Sequence, residues 1–372
     1  VPHLLAAPDK FRGTATAAEV AAAAARAAAE AGWTATELPL ADGGEGTLDV
    51  VSRALGGERR TAKVAGPLGR SVDAAWLFFR EGLPVLPEML ARWAARTGDR
   101  AAALGSGQRP AAPVAFVESA LAIGRSLLPA PTGADPLLAR SDGVGELILE
   151  AVGAGAEVVL IGAGGSATTD GGAGALRTVG SRERLGGAAL IVACDVWCPF
   201  GAAEAFAAQK GATPEQVVTL RTRLAHLARR YREELGVDVE RLTGAGAAGG
   251  LAGGLAALGA RLVPGFDVVA SLLHVDEAVR GSDLVMTGEG RLDATSFQGK
   301  VVGGVLQAGD GAVPALCVAG EVEEGVERCW AARPGRVEAV SLVRAVGRER
   351  ARHATADAVF SVVHRACRSW TA

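Results

Sequence analysis

Cysteine is scarce in this sequence, net charge is nearly absent and long apolar runs are missing, and each absence removes a class of protein. The five cysteines, Cys194, Cys198, Cys317, Cys329 and Cys367, form an odd set. Only Cys194 and Cys198 lie close together, and no second pair or histidine cluster follows them, so the spacing of a structural zinc site is missing. Reduced thiols, and hence a cytoplasmic setting, are the expectation. The 38 Lys and Arg side chains nearly balance 41 Asp and Glu, leaving a formal charge of −3. Such a balance draws the protein onto neither nucleic acid nor an anionic membrane. The most alanine-rich stretch, Val20 to Ala31, is interrupted by Arg26 and Glu30 and is too short to cross a bilayer. No signal-peptide pattern opens the sequence. His226, His274, His353 and His364 stand without a motif around them and read as surface or packing residues.

What is present is a soluble globular composition, 49% hydrophobic and 21% charged over 372 residues. That length exceeds what one hydrophobic core usually serves, so two domains are expected. Along the chain, short apolar strands alternate with helices, the signature of an α/β protein. His3 to Ala7 reads as a strand, followed by Pro8-Asp9-Lys10 and a helix capped by Thr16 with Glu19 in the capping-box position. Thr34 to Leu40 leads into Ala41-Asp42-Gly43-Gly44-Glu45-Gly46 and then a helix over Thr47 to Ala54. Glu157 to Ile161, Ala189 to Ala193 and Asp283 to Met286 repeat the theme, each with a glycine or polar cluster after it. In open α/β sheets ligands gather beyond the carboxyl ends of strands, where these clusters fall. Leu86 to Pro113, with Arg92, Trp93, Arg96, Asp99, Arg100 and Gly105 to Pro110, breaks the pattern and reads as a surface insertion of short helix plus loop.

The strongest chemical signal is Gly162-Ala163-Gly164-Gly165-Ser166-Ala167-Thr168-Thr169-Asp170-Gly171-Gly172. Glycines let backbone N–H groups crowd an anion, and three hydroxyls add donors, so the run reads as a phosphate cradle. It is neither a Walker A loop nor a dinucleotide fingerprint; a tight turn packed for structure is the alternative. The second signal is Thr287-Gly288-Glu289-Gly290-Arg291-Leu292-Asp293 with Ser296 and Gly299-Lys300, read as a loop after an apolar strand. It supplies the cations and carboxylates that phosphoryl transfer requires. Arg291 suits a carboxylate or phosphate clamp and Lys300 a point charge. Asp9, Lys10 and Arg12, and then Asp42 and Glu45, form acidic and basic loops after the first two strands. A carboxylate there serves as magnesium ligand, general base or ordinary turn residue.

Taken in order, Ala7 to Gly13, Leu40 to Gly46, Gly162 to Gly172, Gln209-Lys210-Gly211-Ala212-Thr213, Gly244 to Gly250 and Thr287 to Asp293 with Gly299-Lys300 resemble the motifs of type I glycerate kinases over nearly the whole chain. The resemblance implies a two-domain α/β fold. Residues 1–64 and 283–372 would form a flavodoxin-like domain, and 65–282 an inserted α/β domain carrying the phosphate loop, with the active site in the cleft between them. It also implies ATP and Mg2+ as cofactors and transfer of a phosphoryl group to D-glycerate, giving 2-phosphoglycerate. The expected partners are a small hydroxy acid and a nucleotide, with a homodimer left open.

On this sequence the expected catalytic residues are Asp42, Asp195, Lys10 and Arg291, with Asp42 and Asp195 as alternatives for the general base. Asp9, Glu45, Glu118, Ser119, Ser141, Cys198 and Lys300 would hold the acid. Gly164, Gly165, Ser166, Thr168, Thr169, Asp170 and Gly171 would hold the nucleotide phosphates, and Glu289 and Asp293 the metal.

The sequence also departs from the family pattern. Cys194-Asp195-Val196-Trp197-Cys198-Pro199-Phe200 carries Cys198 where the family has Asn, and the loop after it is shortened. Gly180 to Ala189 is shortened as well, Arg125 stands where Leu is usual, Val302 replaces a proline, and Thr169 replaces an Asn. A lost amide changes which hydroxylated ligands a cleft accepts. Two alternatives follow: a kinase for another 2-hydroxy acid in a specialised pathway, and a degenerate binding protein with the same fold.

Overall fold

The structure is a computed structural model that describes residues 1–97, 112–128 and 135–370. Among the described residues, the strands of the first half are β1 His3–Ala6, β2 Thr34–Glu37, β3 Glu58–Ala65, β4 Ser71–Phe79, β5 Val114–Glu118 and β6 Val158–Ala163. Those of the second half are β7 Ala189–Cys194, β8 Arg261–Pro264, β9 Leu284–Leu292, β10 Ala315–Val322 and β11 Val337–Ser341. The chain divides into two compact units, one built from both chain ends, Val1–Asp42 with Val269–Ala372, and one from the middle, Gly43–Val268.

In the terminal unit five strands pair in the order β11-β10-β9-β1-β2, all parallel. Counted along this unit the order is 2-1-3-4-5, the flavodoxin-like arrangement. An inner parallel strand is covered on both faces, which is why β1 is apolar after His3, with Leu4, Leu5 and Ala6 buried. The helix Ala17–Glu30 starts at Thr16, whose hydroxyl accepts from the Glu19 N–H while the Glu19 carboxylate accepts from the Thr16 N–H. Its alanines 21, 24 and 28 are buried, and it packs on the C-terminal helix Thr355–Ser369 through Val359 and Val363.

The middle unit holds a six-stranded sheet in the order β3-β4-β5-β6-β7-β8. Its first three strands are antiparallel neighbours and its last four run parallel. The first crossing between units therefore falls at Asp42–Gly43 and not near Ala65. Glu58–Ala65 pairs along its whole length with Ser71–Phe79 and is the edge strand of the middle sheet. The second crossing falls at Val268–Val269, ahead of the expected Ser282. The helix Val275–Arg280 belongs with the terminal unit, where Asp276 accepts from the Gly309 N–H at 3.1 Å.

The expected surface insertion opens with the helix Leu86–Thr97, which is not a surface feature throughout. Leu86, Met89 and Leu90 are buried, as an amphipathic helix against a core requires. Residues 98–111 of that segment lie outside the described residues. No helix among the described residues is long and apolar enough to cross a membrane.

Candidate active site

In the 2-1-3-4-5 sheet order, β1 and β9 are the neighbours at which strand order reverses, and ligands bind beyond their carboxyl ends. The chain leaving β1 turns at Asp9 and Lys10. The Asp9 N–H donates to the Gly288 carbonyl of β9 at 2.9 Å, and the Lys10 N–H donates to Asp9 Oδ1 at 2.7 Å. A cavity of about 440 Å³ opens there, lined by Asp9, Lys10, Arg12, Asp42, Glu289, Arg291, Asp293 and Lys300. The sequence expectation of a loop over Thr287–Leu292 is corrected, because that run continues β9. Glu289 pairs with Ala319 and Arg291 with Glu321 of β10. Strand alternation then sets Thr287, Glu289 and Arg291 on one side.

The carboxylates of this cavity repel one another. Burial raises Asp9 well above the usual carboxylate range, and the charges of Asp42 and Glu289 push it further, with Lys10 only partly opposing. Burial likewise raises Glu289 to about 7; a hydrogen bond from Ser296 and the charge of Lys300 oppose this, while Asp42 and Asp293 add to it. Glu289 Oε1 is buried with no hydrogen-bond partner among the described residues. Carboxylates close enough to raise one another, with one Glu289 oxygen left unpartnered, suit a hard cation. Among the described residues no group of three or more His, Cys, Asp or Glu side chains forms a ready-made metal cage. Magnesium does not ask for one, since it commonly takes one or two carboxylates and completes its shell with water and phosphate oxygens.

Asp293, expected beside Glu289 as a metal ligand, has local partners. Its Oδ1 accepts from the Thr295 N–H at 2.8 Å and from the Thr295 hydroxyl at 2.6 Å, capping the short helix Ala294–Phe297. Its Oδ2 lies 3.4 Å from Arg291 Nε. Although burial opposes it, these hydrogen bonds and the charges of Lys300 and Arg291 hold the Asp293 carboxyl below its ordinary range. Arg291 is 62% exposed and also pairs with Glu323 at 3.0 Å, so its guanidinium reaches the cavity from a solvated position. Lys300 Nζ donates to the Thr295 hydroxyl at 3.3 Å.

In the middle unit three strand ends carry expected residues: Glu118 closes β5, the glycine run leaves β6 and Asp195 follows β7. Gly164 is required by its surroundings, since a Cβ there would lie 2.6 Å from both Asp195 Cγ and Gly44 Cα. Ser166, Thr168 and Thr169 are buried, and Thr168 Oγ1 has no hydrogen-bond partner among the described residues. The glycines of the 244–250 motif have a packing role here. At Gly249 the backbone is left-handed, with φ 71°, and a Cβ would collide with the Thr168 carbonyl oxygen.

Other expected ligands of this unit have structural partners. Asp170 accepts from the Ser141 N–H and hydroxyl and from the N–H groups of Gly172 and Gly174, at 2.8–3.1 Å. Ser141 Oγ in turn accepts from the Ala175 N–H. Both residues thus serve the start of the helix Ala173–Val179. Glu118 is 1% exposed, and its oxygens accept from the Gly46 and Leu48 N–H groups at 3.0 and 2.8 Å. Ser119 donates to the Gly164 carbonyl at 3.4 Å, and Glu45 is exposed, its Cβ beside Gly165.

The carbonyl of Cys198 accepts from Gly244 and Gly246. Burial and the charge of Asp195 push its thiol up to about 11, so it stays protonated at neutral pH. Trp197 packs on Gly244 and meets the Trp93 ring edge-on, with centroids 5.5 Å apart.

Lys210 was missed as a site residue. Its Nζ donates to Ser166 Oγ at 3.1 Å and to the Thr168 carbonyl, both in the glycine run. The only signal for it was its place in Gln209-Lys210-Gly211, and a lone lysine carries no spacing that betrays a ligand.

Together these features define a two-unit α/β enzyme with a hydroxyl-lined glycine loop in one unit and a cavity of carboxylates and cations in the other. Comparison with known proteins makes the class particular. The model described as the Glycerate kinase family matches residues 4–184 and 180–371. The chain is 35% identical over 359 residues to Glycerate 2-kinase of Escherichia coli (strain K12), covering 87% of this chain and 86% of the relative. It is 35% identical over 360 residues to Glycerate kinase of Halalkalibacterium halodurans, covering 87% of each. A crystal structure assigned as glycerate kinase 2 from Salmonella typhimurium LT2 superposes with a TM-score of 0.69 at 32% identity, covering 99% of this chain and 96% of that one. The chain belongs to the glycerate kinase family.

Proposed function

We propose that this kinase transfers a phosphoryl group from ATP to a hydroxyl of D-glycerate, giving 2-phosphoglycerate, in a cytoplasmic setting. The observation that carries the reading is the crowding of Asp9, Asp42 and Glu289 beyond β1 and β9, in a cavity that Lys10, Arg291 and Lys300 also line. Phosphoryl transfer asks for positioning and charge more than for covalent chemistry, and these groups offer both. The three cations suit the carboxylate of the acid, Arg291 through its planar fork. Asp42 and Asp195 are the two candidates to take the proton of the acceptor hydroxyl. Glu289, with Asp9 or Asp42, would hold magnesium, which when bound offsets charge spreading over the transferred group. Gly164 to Gly171 would receive the nucleotide phosphates.

The names of the E. coli and H. halodurans relatives support glycerate as the acceptor. A screen of ATP consumption with D-glycerate, L-glycerate, lactate and tartronate tests the reading. Preference for D-glycerate with 2-phosphoglycerate as product supports it. Preference for a different acid supports the specialised 2-hydroxy acid kinase, and no turnover with any acid supports the degenerate binding protein.

A further inference from the structure

The ammonium of Lys210 poses a question of charge balance. A buried cation is costly unless paired and fully hydrogen-bonded. Lys210 Nζ has three N–H donors, and two go to the Ser166 hydroxyl and the Thr168 carbonyl, both neutral acceptors. The third has no partner among the described residues. Four groups face it electrostatically: Asp195, Asp170, Arg125 and Cys198. Asp170 already accepts four hydrogen bonds from Ser141, Gly172 and Gly174. Arg125 adds like charge. Its Nη1 donates to the Gln209 carbonyl at 3.2 Å, and its backbone N–H donates to the Gly165 carbonyl at 3.1 Å. Lys210 thus touches the glycine loop with its ammonium, while Arg125 touches it through its backbone and holds its guanidinium at Gln209, next to Lys210 in sequence.

We infer that Lys210 is the phosphate-binding cation of the middle unit, spending its third N–H on an oxygen of a phosphate group seated on the Gly164–Asp170 loop, with Arg125 as an outer cation. The inference rests on the proposed phosphate role of that loop and adds the charge which the loop by itself lacks. The phosphate belongs either to the nucleotide or to the phosphorylated product. Both have the dianionic oxygens that a lysine binds as a point charge. The electrostatics agree: burial pulls Lys210 down to about 8 despite Asp195 and Asp170. Its free-state proton is thus partly lost in the neutral to mildly alkaline range, and a bound dianion would restore it.

The test is binding, measured by titration calorimetry with ADP in one arm and 2-phosphoglycerate in the other, on the full chain between pH 7 and 9. Wild-type affinity for the ligand that Lys210 holds should fall about tenfold over that range, as the free lysine deprotonates through about 8, with proton uptake on binding at pH 8. Lys210→Gln should weaken the same ligand by roughly 10- to 100-fold, the scale of a charge-assisted hydrogen bond, and flatten the pH dependence. Lys210→Arg should keep most of the affinity and also lose the pH dependence, an outcome that a purely structural lysine does not give. The arm that responds identifies the source of the phosphate. Unchanged affinity and pH slope in Lys210→Gln, for both ligands, overturns the inference. Failure of the functional reading looks different: phosphate binding would depend on Lys210 while no acid is phosphorylated.

Discussion

The carboxylate of Glu118 accepts a hydrogen bond from the Leu48 N–H at 2.8 Å, joining residues seventy positions apart. With Gly46 as the second donor, a buried acid takes up open N–H groups at the start of the helix Thr47–Leu55. The predicted consequence is structural. Glu118→Ala should cost about 2–3 kcal/mol, the scale of hydrogen bonds to a charged group together with donors left buried. Glu118→Gln, which keeps one acceptor oxygen, should cost less. Denaturant unfolding checks both. A kinetic defect with unchanged stability would return Glu118 to the acid-binding role.

Gly164→Ala places a methyl against the Asp195 carboxyl and the Gly44 backbone. Backbone has no rotamer with which to yield, so Asp195 or the loop must move. Displacements of about 1 Å near reacting groups cost roughly a hundredfold in rate. The variant should fold, keep its helix content by circular dichroism and lose turnover on that scale. Near-normal kcat would show that the packing at Gly164 does not position catalytic groups.

Glu289 ties function to pH-dependent stability. Its folded value, raised to about 7 from 4.5, means that the native state holds a proton which the unfolded chain has released. Between about pH 4.5 and 7 the folded form therefore binds more protons, and the contribution of Glu289 to stability falls as pH rises. Glu289→Gln removes that penalty. In the presence of chelator its Tm should exceed that of the wild type by a margin that widens from pH 5 to 7 and then levels, while turnover with magnesium drops. A constant margin across pH would mean that the buried carboxylate carries no penalty.

For the base, Asp42→Asn and Asp195→Asn separate the two candidates. Replacing the true base should lower kcat by roughly two to four orders of magnitude. Replacing the other should act mainly through its neighbours, Asp9 and Glu289 for Asp42 and Lys210 for Asp195. Steady-state kinetics with saturating acid makes the distinction. Full rates in both variants would remove both residues from proton transfer.

Features whose causes are local were legible in the sequence. Thr16 and Glu19 announce the helix start because both partners lie within four residues, and β1 announces itself because a buried parallel strand must be apolar. Causes remote in sequence were not legible. Glu289 and Arg291 looked like a glycine-rich loop because their strand character comes from pairing with Ala319 and Glu321. Glu58–Ala65 carries too many charges to advertise the sheet it joins, and only its pairing with Ser71–Phe79 moves the unit boundary to Asp42. Asp170 and Ser141 looked like ligands because nothing in sequence separates a carboxylate that serves a phosphate from one that serves a helix start. Lys210 had only a short motif around it, and its meaning depends on Ser166, which a fold must bring to it.

The placement of β1 between β2 and β9 has a consequence for biosynthesis. Leu4 pairs with Ala35 within the first part of the chain, but on its other edge it pairs with Leu284. On the ribosome, where domains fold as their sequence emerges, the contiguous middle unit can complete itself while β1 still presents an apolar, unpaired flank. Such a flank is a template for intermolecular strand addition. The nascent chain thus passes through a long interval of vulnerability that ends only when β9 is translated, and truncations downstream of the middle unit should reach cells chiefly as aggregates or chaperone clients.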